Sequence, residues 1–261
     1  MPKRKRIMVK IEEIKQQLEQ ASWEDRFHTI QLYKEDERKG VQKLLQQYER
    51  KWELYQKEKA RTEQMWTFER KNEDCKWICG IDEAGRGPLA GPVVAAAVIL
   101  PKDCDLLYIN DSKQLSAKKR EELYKEIYKT AISIGVGIVG ADKIDETNIL
   151  QATYEAMRIA VSKLSITPDL LLNDAVTIPN LKIRQIPIIK GDAKSISIAA
   201  ASIIAKVTRD HIMEEYDQLF PNYEFASNKG YGSSFHIQQL KQYGPCPIHR
   251  RMFIKNFCEV D

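Results

Sequence analysis

One stretch constrains this chain more than any other. It reads Trp77-Ile-Cys-Gly-Ile-Asp82-Glu83-Ala-Gly85-Arg86-Gly87-Pro-Leu-Ala-Gly91 and runs on as Pro92-Val-Val-Ala-Ala-Ala-Val-Ile-Leu100. A short apolar run ends on two adjacent carboxylates, a turn with three glycines follows, and a longer β-branched run returns. The pattern predicts strand, turn, strand. Carboxylates at the end of a buried strand are costly unless paired or bound to a cation, although acids also end strands because turns favour them. Glycines at that density mark backbone that bends sharply or approaches something closely.

Gly85-x-Gly87-x-x-Ala90 formally fits a loose dinucleotide-binding fingerprint. That fingerprint needs a helix directly after the glycines, so that pyrophosphate sits on its N-terminus. Here a strand pattern follows, and two carboxylates stand where phosphate would arrive, so the cofactor reading is rejected. What remains is a carboxylate pair beside a backbone-exposing loop.

The same grammar recurs. Leu170-Leu-Leu-Asn-Asp174 is an apolar run ending in acid, and Gly191-Asp192 follows the run Ile183–Ile189 after one lysine. Each of these acids is by itself compatible with a turn or cap. Together they deliver carboxylates to one sheet edge, where α/β folds place their sites. Hard cations such as Mg²⁺ take oxygen ligands from a few carboxylates, whereas four scattered histidines and no Cys-x-x-Cys spacing give no zinc site.

Residues 1–72 differ in texture from the rest. No proline lies between Pro2 and Pro88, and Gly40 is the only glycine before Gly80. Ile7, Ile11, Ile14 and Leu18 share one helical face, and Val41, Leu44, Leu45, Tyr48, Trp52 and Tyr55 share another. Ser22-Trp-Glu-Asp reads as the capped start of a helix between them, carrying Trp23, Phe27 and Ile30. These residues form an all-helical extension: either stripes packed on each other, or an arm that lies on duplex backbone with help from Lys3-Arg-Lys-Arg6.

From residue 73 the pattern alternates. Strands are predicted at 77–82, 92–100, 132–140, 170–174 and 183–189, and helices at 116–130, 148–164, 195–218 and 234–242. That order implies an α/β layered domain over 73–261. A formal charge of +4 suits a nucleic-acid partner without arguing for one. No 18-residue apolar run spans a membrane, and the basic start lacks the apolar segment of a signal peptide. Five cysteines, an odd number, suit reduced thiols and a cytoplasmic location. With no sustained heptad seam, a monomer is expected.

Gly80-Ile-Asp-Glu-Ala-Gly-Arg-Gly-Pro-Leu-Ala-Gly-Pro-Val resembles the opening motif of ribonuclease HII, the type 2 ribonuclease H. Four further segments continue the resemblance in order: Asp111-Ser-Lys113, Asp142–Met157, Lys194–Asp210 and Asn228–His236, with Tyr243–Phe253 as a closing signature. The resemblance covers roughly residues 75–257. It implies a ribonuclease H-like fold, a five-stranded mixed sheet with helices on both faces, and a helical C-terminal tail. It implies Asp82, Glu83, Asp174 and Asp192 as the catalytic, metal-binding quartet, with Mn²⁺ or Mg²⁺ as cofactor. It further implies Gly85, Arg86 and Gly87 as readers of a ribose 2′-hydroxyl, and Tyr231 as the ring packing on the next nucleotide. Lys113, Ser195 and Lys206 become candidate phosphate contacts. Arg209 and Asp210 are read as a structural pair, and His249 as a structural histidine. The implied substrates are RNA–DNA hybrids and duplex DNA holding single ribonucleotides, as in ribonucleotide excision repair, cut 5′ of the ribonucleotide. Two alternatives are a ribonuclease HIII-like hybrid hydrolase and a nucleic-acid-binding adaptor on an inactive nuclease fold.

Overall fold

The structure, a computed structural model, describes residues 9–102 and 104–259. The chain packs as two units, one up to Arg61 and one from Thr62 onward. The expectations resting on Lys3–Arg6 and Ile7 lie outside the described residues.

The first unit is helical: α1 (Ile11–Gln20), α2 (Trp23–Tyr33) and the N-terminal part of α3 (Lys39–Met65). Ser22 caps α2 by accepting from the Asp25 N–H, as its spacing predicts. The core is the predicted stripes, with Ile14, Leu18, Ile30, Val41, Leu45 and Tyr48 buried together. Ile11, expected on the same stripe, is 39% exposed. Trp23 stacks on Tyr55 at 4.7 Å and Phe27 on Trp52 at 5.1 Å, which rigidifies the unit through ring contacts.

The second unit begins within the last turn of α3. It continues through α4 (Thr67–Arg70) to β1 (Ile78–Ala84) and β2 (Val93–Ile99). There follow α5 (Ala117–Thr130), β3 (Ser133–Val139), α6 (Ala141–Glu146), α7 (Ile149–Ser162), β4 (Leu170–Asp174) and β5 (Arg184–Ile188). A 24-residue helix, α8 (Ile196–Leu219), comes next. The tail is α9 (Phe225–Asn228), α10 (Ser234–Tyr243) and α11 (Arg251–Ile254). Every predicted strand is present within two residues of its expected bounds. Ser116, Asn148 and Ser233 cap α5, α7 and α10 through their side chains.

The sheet order is β3-β2-β1-β4-β5. β1 pairs antiparallel with β2 and β2 with β3, while β1–β4 and β4–β5 are parallel. Period-two alternation sends β2 to two cores. Ala96 and Val98 pack with α5 and α8, whereas Ala95, Ala97 and Ile99 pack with α7. Both faces are therefore covered by helices, as apolar strands without polar alternation require. Each larger aliphatic side chain buried this way, such as Val98 or Ile99, contributes about 1.5–3 kcal/mol before entropy is counted.

Candidate active site

The topology fixes the carboxylates before any side chain is considered. β1 and β4 run parallel in register, Ile78↔Leu170 to Ile81↔Asn173. Asp82 and Asp174 each follow the last of these pairs, so both acids leave the sheet on the same edge. Asp82 is only 5% exposed, and Glu83 is next to it. Small residues on β2, Ala96 and Ala95, face them in register.

Asp192 arrives from the next crossover. The Gly191 N–H donates to Asp174 Oδ1 at 2.7 Å, which ties the Asp192 turn to the end of β4. Both segments are tightly bent. Ala175 and Lys190 have φ of 55° and 56°, a left-handed conformation costly for residues with a Cβ and concentrated at functional turns. The Ala175 N–H donates to the Ile188 carbonyl, joining the two bends.

The carboxylates raise one another's pKa. Burial pushes Asp82 well above the usual carboxylate range, and the charges of Glu83 and Asp174 push it further, against a hydrogen bond from Ser202. Glu83 is raised by burial, with Arg86 opposing and Asp174 adding to the rise. Asp192 is raised by burial, then by Asp111 and Asp174. Among the described residues no group of three such side chains is already closed around one point. The donor set is nonetheless all oxygen, clustered and mutually repelling. A hard divalent cation relieves that repulsion, so the residues fit one.

Beside them opens a cleft of about 870 Å³. Asp82, Glu83 and Asp174 line it, together with Gly85–Gly87, Lys113, Lys206 and Tyr231. Asp192 does not line the cleft; it stands on the adjoining turn. Lys113 is exposed, on a short turn where Asp111 accepts its N–H at 2.9 Å. Lys206 is bound to Asp210 at 2.6 Å, so the predicted Arg209–Asp210 partnership is replaced by Lys206–Asp210. Arg86 reaches Glu83 at 3.3 Å.

Ser195 is not brought to the cleft. It is fully buried, and its hydroxyl both donates to Glu69 Oε1 at 2.6 Å and caps α8. A phosphate cannot reach a hydroxyl that is enclosed and engaged on both sides.

The glycine loop is held by two buried arginines that the sequence reading did not assign to it. Arg250 donates to the carbonyls of Gly85 at 2.6 Å, Arg86 at 3.0 Å and Gly91 at 2.9 Å. Arg209 donates to Pro92, Ala90 and Lys229 at 2.9, 3.1 and 2.9 Å. Gly85 has φ 94°, and a Cβ there would collide with the Arg209 side chain and the Pro92 carbonyl. Glycine is therefore required twice over, by conformation and by space. Burial lowers both arginines, Arg209 to about 10 and Arg250 to about 9, which leaves each charged at neutral pH.

Tyr231 is 47% exposed, and a Cβ added to Gly87 would lie 3.8 Å from its ring. Behind it runs a directed hydrogen-bond chain. His236 Nδ1 lies 2.8 Å from the Tyr231 carbonyl and must donate to it, so the neutral ring accepts at Nε2. His249 Nε2, 2.9 Å away, supplies that proton, and His249 Nδ1 accepts from the Cys246 N–H. His249 is thus structural, as predicted. The Leu89 N–H donates to the Gly230 carbonyl at 2.8 Å, joining this loop to the glycine turn.

Comparison with known proteins agrees with this fold. Residues 79–256 match the family described as Ribonuclease HII, and residues 10–73 match its N-terminal domain. The chain is 62% identical to the ribonuclease HII of Lachnoclostridium phytofermentans over 95% of this chain and 98% of that one. It is 50% identical to the Clostridioides difficile enzyme over 94% and 97%. Among solved structures, the ribonuclease H2 of Pyrococcus horikoshii covers 67% of this chain and 93% of its own at 33% identity and TM-score 0.57. The Archaeoglobus fulgidus ribonuclease HII solved with PCNA covers 70% and 98% at 28% identity and TM-score 0.60. The chain belongs to the ribonuclease HII family and is, like its relatives, a ribonuclease H endonuclease.

Proposed function

We propose that the enzyme hydrolyses the phosphodiester 5′ of a ribonucleotide, in RNA–DNA hybrids and at single ribonucleotides within duplex DNA, leaving 3′-OH and 5′-phosphate ends. The observation that carries this reading is one juxtaposition. The glycine loop and the exposed Tyr231 ring stand side by side on a cleft that Asp82, Glu83 and Asp174 also line. A cluster of carboxylates suits phosphodiester hydrolysis, and a backbone loop beside an aromatic suits the recognition of one sugar.

Asp82, Glu83, Asp174 and Asp192 would hold the divalent cation, Mg²⁺ or Mn²⁺. Ions at such a site supply activation of water and charge neutralisation at the leaving 3′-oxygen. The chain does the rest. Arg250 takes the carbonyls of Gly85 and Arg86, so the loop offers its remaining backbone groups to the 2′-hydroxyl that distinguishes ribose from deoxyribose. Tyr231 packs on the nucleotide to the 3′ side. Lys113 and Lys206 face the phosphates, and Asp210 orients Lys206. Ser195 has no part in substrate contact.

The helices α1, α2 and the N-terminal part of α3, up to Arg61, act in this reading as an arm along duplex backbone, which a salt-dependent contribution to duplex affinity would reveal. Among the described residues no helix is long and apolar enough to cross a membrane. The thiols of Cys75, Cys79, Cys246 and Cys258 are free, which supports the cytoplasm as the enzyme's location; a monomer suffices for the site.

The test uses two labelled duplexes, one with a lone ribonucleotide and one with a long RNA–DNA tract, in Mg²⁺ and in Mn²⁺. Incision just 5′ of the lone ribonucleotide is expected. Cutting of the hybrid tract alone would favour the ribonuclease HIII-like alternative, and no cutting would favour the binding protein.

A further inference from the structure

Glu69 is a buried acid outside the carboxylate cluster of the cleft. It lies in α4, within the segment matched by the ribonuclease HII N-terminal domain and before the segment matched by the nuclease family. Yet its side chain is enclosed in the nuclease unit, with 6% of the residue exposed. Oε1 accepts from the Ser195 hydroxyl at 2.6 Å and from the Ser197 N–H at 3.2 Å. Oε2 is buried with no hydrogen-bond partner. A carboxyl enclosed with one orphan oxygen costs stability that an apolar side chain would not. That cost points to something the other oxygen fixes.

What Oε1 fixes is the first turn of α8. Ser195 caps that helix by accepting from the Ile198 N–H, and Ser197 offers one of the N–H groups a helix start leaves unmatched. An anion there also matches the positive end of a 24-residue helix. The opposite side of the turn lies against β1, because a Cβ at Gly80 would collide with the Ser197 carbonyl. Glu69 and Gly80 thus bracket the start of α8.

The bracket continues into the catalytic turn without a gap. The N–H groups of Lys194 and Ser195 donate to the Gly191 carbonyl at 2.9 and 2.8 Å. The Gly191 N–H donates to Asp174 Oδ1. Asp192 lies between these anchors. Its position is therefore set by Asp174 on one side and by Ser195 on the other, and Ser195 is held by Glu69.

We infer that Glu69 is a positioning residue for the Asp192 turn, supplied to the nuclease core by the segment that precedes it. This inference rests on the hydrolytic reading above and deepens it. It assigns the N-terminal family module a function inside the catalytic unit, separate from any contact with duplex. It also explains why Ser195 is buried rather than turned to the phosphates.

The test uses the full chain with Glu69→Ala, Glu69→Gln and Ser195→Ala. A glutamine keeps an acceptor for Ser195 and Ser197; alanine does not. Two quantities are read. The first is amide hydrogen exchange of residues 191–195 without any divalent cation, with β1 and β2 amides as the internal reference. The second is the split between kcat and KM on the lone-ribonucleotide duplex. Expected for Glu69→Ala is faster exchange confined to 191–195, kcat lowered about tenfold by a displaced carboxylate, and KM unchanged within about twofold. Glu69→Gln should restore both, and Ser195→Ala should reproduce the alanine result in milder form. The inference is overturned if Glu69→Ala exchanges at the wild-type rate over 191–195. It is also overturned if Glu69→Gln fails like alanine with exchange rising across the whole sheet. If Glu69→Ala does not fold, Ser195→Ala is judged by the same two readouts. A wild-type protein that cuts neither duplex would overturn the hydrolytic reading instead, and the exchange result would still stand.

Discussion

The two segments that frame the carboxylates are immobilised by opposite chemistry. The glycine loop is held by cations: Arg209 and Arg250, both buried, donate to six carbonyls of residues 85–92 and 229. The Asp192 turn is held by anions: Asp174 accepts from Gly191, and Glu69 accepts from the start of α8. The difference follows from which backbone groups each segment has to spare. A turn rich in positive-φ glycines exposes carbonyls, which need donors. A helix start exposes N–H groups, which need acceptors. Each segment is thus built from the partner its own backbone demands, and the two can be broken separately.

Asp174→Asn has the largest expected effect, because it removes a charge from the carboxylates that line the cleft, although its amide oxygen can still accept from Gly191. The expected loss of cleavage is at least about a hundredfold, measured under single-turnover conditions. Near-wild-type rates in this variant would remove Asp174 from the site. Next in size is Arg250→Ala, which strips the donor from three carbonyls. It should lower stability by about 3 kcal/mol and the melting temperature by roughly 6–12 °C. In the folded fraction it should reduce discrimination for ribose more than kcat, the reverse of the pattern expected for the Asp192 turn. Equal effects on both quantities would merge the two halves into one rigid body.

Tyr231→Ala tests the glycine-loop side alone. Losing one stacked ring is worth about 1–3 kcal/mol, so affinity for the ribonucleotide duplex should fall about tenfold or more while melting temperature stays put. Acid sharpens the same side. Burial and the neighbouring His236 lower His249 to about 4, and burial lowers His236 as well. In the window between the ordinary histidine value near 6.5 and about 4, His249 therefore binds its proton more readily in the unfolded chain than in the folded one, while the raised carboxylates Asp82, Glu83 and Asp192 act in the opposite sense. The contribution of His249 to stability should fall by about 3 kcal/mol as pH drops through that window, read as the difference between wild type and His249→Gln. Denaturant titrations of both proteins at pH 7 and pH 4.5 measure this. The smallest effect belongs to Arg86→Ala. Its ion pair with Glu83 is half exposed, so a change of a few-fold in ribose preference is expected, with stability within about 1 kcal/mol.

The sheet and the carboxylate edge were legible in the sequence because both are written locally. An apolar run ending in acid identifies β1 and β4 and places Asp82 and Asp174 in one step. Helix starts were legible from caps such as Ser22, Ser116 and Asn148. What local patterns cannot express is a partner far along the chain. Arg250 finds its carbonyls 159 to 165 residues away, and nothing around it distinguishes it from the exposed Arg251. Ser195 was recognisable beside a helix start, but its burial depends on Glu69, 126 residues earlier. Glu69 itself sits in a charge-rich helical segment that reads as solvated. Arg209 was misassigned for the same reason, since the nearest acid in sequence, Asp210, turns to Lys206 instead.

The central claim is that the carboxylate edge, serving a hard cation, cuts beside a ribose. The most direct measurement is strand-resolved incision of a lone-ribonucleotide duplex by the wild-type chain in Mg²⁺, repeated with chelator and with Asp82→Asn. The account predicts one nick, just 5′ of the ribonucleotide, lost in both controls. A nick that persists in chelator or in Asp82→Asn would contradict it.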